Sequence, residues 1–208
     1  MSPVPPEENP FRLEHDLEGK RVVMYSGTLG PSNPVTTLLA AAEQFEDDAR
    51  LLFLFVGGGT GMAEVKGRNR PNVRCLPYEP LARMRYSLSA GDVQVVSLGD
   101  EMAGIVHPCK VYGAMAVSKP VLFFGPKPSH ISDLLDSHEF GIHVAHGDEL
   151  RPAPGGIFHH GQAARAGADG AHDDLVAVFP GPIGALVERG GRLAGEPRRQ
   201  AGAEGQGH

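Results

Sequence analysis

Apolar residues gather along this chain in short, nearly unbroken runs, and mixed amphipathic stretches separate the runs. Arg21–Ser26 (RVVMYS), Leu51–Val56 (LLFLFV), Asn72–Leu76 (NVRCL), Asp92–Ser97 (DVQVVS), Pro120–Phe124 (PVLFF) and Gly141–Ala145 (GIHVA) are each strand-sized. A run without polar alternation predicts a strand buried on both faces. Between the runs the spacing predicts helices: Val35–Phe45 behind Pro34, a shorter one around Gly61–Lys66, Glu79–Leu88 with Pro80 in its first turn, and about Pro108–Val117. Ser129 is placed to cap a further helix running to Leu135. Strands of this kind alternating with helices predict an α/β fold, a Rossmann-like open parallel sheet of about six strands covered on both sides. Such sheets bind ligands beyond the carboxyl ends of their strands, where three glycine-bearing turns fall: Gly27–Gly30, Gly57–Gly59 and Gly99–Gly104.

The pattern assigns residues 21–147 to this domain. Residues 1–20 read as a linker, because Pro3, Pro5, Pro6 and Pro10 disfavour helix and favour extended chain. The texture changes after Asp148. Residues 151–208 hold 13 Gly, 11 Ala and 5 Pro, so half of the stretch cannot supply a large core side chain. Leu175–Phe179 and Ile183–Val187 are candidates for short elements, but residues 148–208 as a whole are expected to be a poorly ordered, low-complexity tail. Their Gly/Ala/Pro/Arg/His mix also resembles out-of-frame translation of a GC-rich gene.

Composition removes several function classes. The net charge of −6 argues against nucleic-acid binding through a basic surface. Cys75 and Cys109 form no CxxC, which speaks against a disulfide framework or a zinc site and fits a reducing compartment. The opening Met1–Glu8 lacks the pattern of a signal peptide. No apolar run approaches the ~20 residues of a membrane helix. The expected location is the cytoplasm, with peripheral association at the inner membrane face left open.

The candidate chemistry lies in the strand-end turns. The stretch from Glu101 to Lys110 reads as a loop leading into a helix, and free N–H groups at a helix start attract anions, phosphate above all. Met102, Ala103, Gly104, Ile105 and Val106 make up the turn, with a carboxylate before it and a lysine after it. It is either a phosphate cradle or an ordinary strand-to-helix connection. Gly27, Thr28 and Gly30 form either a ligand-facing loop or a plain tight turn. Gly57, Gly58 and Gly59 permit close approach of a ligand to the backbone, but they fit neither the dinucleotide fingerprint nor a Walker loop. Tyr78 and Glu79 follow the third strand and either flank a base or simply begin a helix. The ten histidines show no ligand spacing, so no metal is expected. Cys109 reads as a small packed residue or as a thiol activated near a helix start.

Taken in order, VVMYSGTLG (Val22–Gly30), FLFVGGG (Phe53–Gly59), NVRCLPYEPL (Asn72–Leu81), SAGDVQVVSL (Ser89–Leu98) and GIVHPCKVYGAMAVSKPVLFF (Gly104–Phe124) resemble the C-terminal, donor-binding domain of GT-B glycosyltransferases of family 4. The likeness covers roughly residues 20–147 and is greatest to the branch that builds bacterial polysaccharides and lipid-linked precursors. It implies a retaining transferase that uses a nucleotide sugar, often a UDP-sugar, with no other cofactor and no catalytic metal. By the same resemblance, the backbone of Gly104–Val106 would hold the diphosphate. Glu101 would hold the donor sugar's hydroxyls, Lys110 would neutralise the leaving diphosphate, and Tyr78–Glu79 would border the base.

Several positions depart from the family pattern. Gly113 stands where a second glutamate usually contacts the ribose, Cys109 replaces a serine, and Pro31–Pro34 lacks the usual basic residue. GT-B enzymes also pair two Rossmann-like domains, so the resemblance implies a missing or separately encoded N-terminal acceptor-binding domain and incomplete activity alone. Two other readings stay open: a non-catalytic remnant or nucleotide-sugar-binding module, and a sugar-nucleotide epimerase, for which no acid/base set is visible.

Overall fold

A computed structural model describes residues 1–138, 140–151, 158–161, 175–178 and 186–189. Six parallel strands form one sheet: β1 (Arg21–Thr28), β2 (Leu51–Gly58), β3 (Val73–Leu76), β4 (Val93–Ser97), β5 (Val121–Phe124) and β6 (Gly141–Val144). Their order is β3-β2-β1-β4-β5-β6, so the chain builds outward from β1 to one edge and then returns to build the other. The reversal between β1 and β4 is the topological switch point, where open α/β sheets form their ligand crevice.

The unbroken apolar runs have a direct physical cause: alternate residues of each strand meet different layers, and both layers are apolar. On one face Val23, Tyr25, Phe53 and Phe55 pack with Leu38, Leu39 and Ala42 of helix α2 (Thr36–Gln44) and with Met62 and Val65 of helix α3 (Met62–Gly67). On the other, Val96, Val121 and Phe123 meet Val111 and Ala114 of helix α5 (Lys110–Ala116), and Ile131 and Leu135 of helix α6 (His130–His138). Ser129 caps α6 as expected, its hydroxyl accepting from the Ser132 amide at 3.2 Å.

Element edges differ from the expectation in two places. Helix α4 spans Met84–Ala90 rather than beginning at Glu79, because Pro80 is extended (ψ 147°) and Leu81–Arg83 form a 3-10 turn first. Strands β1 and β2 run on into the expected turns, so that Gly27 pairs with Gly57 and Thr28 with Gly58.

The first twenty residues overturn the extended reading. Pro10–Glu14 form helix α1, and Phe11 and Leu17 are fully buried against Val22, Met24, Leu52 and Leu54. Proline at a first helical position gives up only an N–H that had no partner there. Asn9 supplies the cap, its side chain accepting from the Phe11 amide at 3.0 Å and donating to the Tyr86 carbonyl at 2.9 Å. Arg12 is buried as well. Its guanidinium donates to the carbonyls of Ala90, Leu17 and Lys20 at 2.5, 2.8 and 2.7 Å and faces Asp92 at 3.6 Å.

Beyond the parallel sheet, β7 (Glu149–Arg151), β8 (Phe158–Gly161), β9 (Leu175–Val178) and β10 (Leu186–Arg189) form an antiparallel sheet of order β10-β9-β8-β7. Strands β9 and β10 fall on or beside the two stretches singled out as candidate elements. The rest of the expected low-complexity tail lies outside the described residues. Among the described residues no helix is long and apolar enough to cross a membrane.

Candidate functional site

The register of the central strands assembles the site. Because Gly27 and Gly57 are partners, the two glycine stretches meet at the carboxyl rim. Gly57 has φ +142°, and a Cβ there would fall 2.1 Å from the Gly27 carbonyl oxygen, so no side chain fits. Gly59 is held in the same way against Leu29. Gly27 itself (φ +129°) faces Lys110, whose Cε would lie 2.7 Å from an added Cβ. Lys110, the first residue of α5, thus reaches across the β1/β4 crevice onto the end of β1. Its Nζ stands 5.3 Å from the ring centroid of Tyr25.

Tyr78, arriving from the end of β3, crosses the end of β2 to reach the same rim. Its ring lies over Gly58, where an added Cβ would stand 2.8 Å from it, and its hydroxyl is hydrogen-bonded to the Thr28 hydroxyl at 2.7 Å. The Thr28 carbonyl accepts a further bond, at 2.8 Å, from the hydroxyl of Tyr25. Glu79 is turned to local use and forms an ion pair with Arg83 at 3.1 Å.

The β4–α5 connection is built differently from the expected cradle. Asp100–Met102 make a 3-10 turn, and the amides of Ile105 and Val106 both donate to the Met102 carbonyl, at 3.1 and 3.0 Å. Gly104 (φ +75°) permits this reversal. The helix starts only at Lys110, so Gly104–Val106 belong to a self-bonded turn rather than to a helix start. Glu101 is exposed and lines a hollow of about 650 Å³ together with Pro31, Pro34, Thr36, His146 and Asp148. The structure therefore brings Gly27, Thr28, Gly57, Gly58, Tyr78 and Lys110 together, and places Glu101 in an adjoining hollow on the Pro31–Pro34 side of the crevice. Met102 lines that hollow too; Ile105, Val106 and Gly104 line a smaller one of about 210 Å³ beside His107 and His130. The His107 ring is hydrogen-bonded to the Tyr112 hydroxyl at 2.9 Å.

Burial sets the electrostatics. Lys110 is pulled below the ordinary lysine range by desolvation, which the Cys109 thiol beside it partly offsets. Among the described residues no carboxylate pairs with it, so the ammonium sits half-buried at the crevice without a counter-charge. The Tyr25 phenol is pushed far above its usual value, by burial first and then by Tyr78. The described residues contain no group of three metal-ligating side chains.

Tyr25 is the participant that sequence reasoning missed. The signal was present, since a phenol inside a fully buried strand must find a hydrogen-bond partner. Asn33 was missed as well: its side-chain amide donates to the Ser97 carbonyl at 2.8 Å and ties the β1–α2 loop to the end of β4. Gly113 is half-buried on α5, and a Cβ there would meet only Leu88, at 3.4 Å.

No protein-family model matches the chain. A probable glycosyltransferase of Pseudomonas aeruginosa, WbjE, is 32% identical over 143 residues, which are 67% of this chain and 36% of the relative. The putative colanic acid biosynthesis glycosyl transferase WcaI of Escherichia coli K12 is 28% identical over 112 residues, 51% of this chain and 27% of WcaI. The chain thus spans about a third of the length of these curated relatives. Among solved structures, Anabaena HepE in complex with UDP and glucose superposes with a TM-score of 0.54 at 19% identity, over 69% of this chain and 39% of HepE. Sucrose-phosphate synthase of Thermosynechococcus elongatus gives 0.53 at 21% identity, over 71% and 37%. Sheet order, crevice and sequence likeness agree, and the chain is a glycosyltransferase domain of the GT-B type.

Proposed function

We propose that this domain holds the nucleotide diphosphate of a sugar donor, a UDP-sugar, for glycosyl transfer with retention of configuration. The observation that carries the reading is Lys110, a half-buried ammonium without a carboxylate partner among the described residues, set against Gly27 at the switch-point crevice. An anion placed there restores the favourable environment that burial removed. During transfer, negative charge grows on the departing diphosphate, and a cation already fixed beside it lowers the barrier. The glycines at Gly27 and Gly58 let Lys110 and Tyr78 close onto the strand ends, Thr28 tethers Tyr78 there, and Gly57 and Gly59 keep the neighbouring backbone turns tight, while Tyr78 borders the base. Glu101, in the adjoining hollow, would take the sugar hydroxyls. No metal enters this account, and the cytoplasm is the expected place of work.

Acceptor positioning is assigned to a second, N-terminal-type domain, so turnover is expected only from the two together. Positioning acceptor against donor supplies much of the rate, and one wall of a cleft does not provide it. One observation favours a second reading, a nucleotide-sugar-binding module without turnover: Gly113 offers nothing to the ribose. Calorimetric titration of the full chain with UDP, followed by a UDP-release assay with a candidate partner domain, separates the two. UDP binding with no turnover in any combination rejects the enzyme; absence of UDP binding rejects both.

A further inference from the structure

The Lys110 side chain and the Tyr78 ring stand on different sides of β1, yet a single buried side chain touches both arrangements. Tyr25 is fully buried in the central strand. Its ring lies under the Lys110 ammonium, 5.3 Å from Nζ to the centroid. Its hydroxyl donates at 2.8 Å to the carbonyl of Thr28, the residue whose own hydroxyl holds Tyr78 at 2.7 Å. A phenylalanine would fill the same core volume, but it would leave the Thr28 carbonyl without this partner. A leucine would, in addition, remove the electron-rich face beneath the ammonium.

We infer that Tyr25 is a positioning residue that fixes the diphosphate-facing cation and the base-facing aromatic wall relative to one another, so that the site selects a ligand carrying a flat base and a diphosphate at a set separation. This rests on the donor-binding reading above. Its ring sets where the positive charge stands, and its hydroxyl sets the strand end from which Thr28 tethers Tyr78. The tether crosses the end of β2 only because Gly58 carries no side chain. The two functions of Tyr25 reside on different atoms and are separable by substitution.

The test uses the full chain, with calorimetric titrations of UDP and of inorganic pyrophosphate against Tyr25→Phe, Tyr25→Leu and Tyr78→Phe. Tyr25→Phe is expected to weaken UDP binding roughly threefold to tenfold, the range for loss of one hydrogen bond, and to leave pyrophosphate binding unchanged. Tyr25→Leu is expected to weaken both ligands. Tyr78→Phe is expected to reproduce the UDP loss and to combine with Tyr25→Phe less than additively, as coupled residues do. A purely structural tyrosine would not divide the two ligands in this way. The inference is overturned if Tyr25→Phe binds UDP like the parent, or if it loses pyrophosphate to the same degree as UDP. If the parent itself binds no UDP, the donor reading falls and this inference with it.

Discussion

Gly57 carries a strict steric demand at the carboxyl rim, matched by Gly59. The positive φ of Gly57 and the Gly27 carbonyl 2.1 Å from any added Cβ leave room for no other residue. Gly57→Ala is predicted to destabilise the fold by at least ~1–3 kcal/mol, the range for one strained backbone residue, read as a lower midpoint in urea unfolding. Lys110 behaves in the opposite sense. Burial holds its pKa in the folded chain below the unfolded 10.5. At neutral pH the unfolded state therefore accommodates the charge better, and stability gained from this group rises as pH climbs through the folded value toward 10.5. Lys110→Met is accordingly predicted to melt no lower than the parent at pH 7. UDP affinity of the parent is predicted to decline as pH rises through the Lys110 pKa, as followed by titrations from neutral to alkaline pH; a flat profile up to pH 10.5 would count against the lysine.

At the scale of elements, the sheet was legible and helix α1 was not. The runs at Val22–Tyr25 and Leu51–Val56 stand out because every position meets an apolar layer, so the strand signal has no polar interruptions. In α1 the prolines dominated the reading, although Asn9-Pro10 is itself a helix-start pair. Arg12 concealed the segment further, since a charged residue in so short a helix does not look like core until its three carbonyl partners are known. Phe11→Ala is predicted to cost about 3–5 kcal/mol, measurable by chemical unfolding; a cost below ~1 kcal/mol would mean that α1 does not dock as described. The site shows the same division. Glycine turns and Lys110 are local signals. The Thr28–Tyr78 bond joins residues 50 positions apart, and the β1/β2/β3 register that brings them together is not written in either segment. The extent of α5 was legible to within about two residues, but the turn before it was not: the amides of Ile105 and Val106 are consumed by the Met102 carbonyl.

At the scale of the whole molecule, the chain matches 36% of the Pseudomonas aeruginosa relative, and Ile105, Tyr112 and Met115, in the β4–α5 connection and on α5, are exposed. From this chain alone, no UDP release from UDP-sugars above the uncatalysed background is predicted. Measurable release is predicted once the unmatched remainder of such a relative is supplied in fusion. Donor binding, in contrast, is predicted of this chain by itself, and that is the central claim. The most direct test is the UDP affinity of the full chain measured beside that of Lys110→Met. The predicted result is saturable binding by the parent and a loss of roughly tenfold or more in the variant, the scale of a charge-assisted contact. Equal affinity in the two proteins, or no binding by the parent, would contradict it.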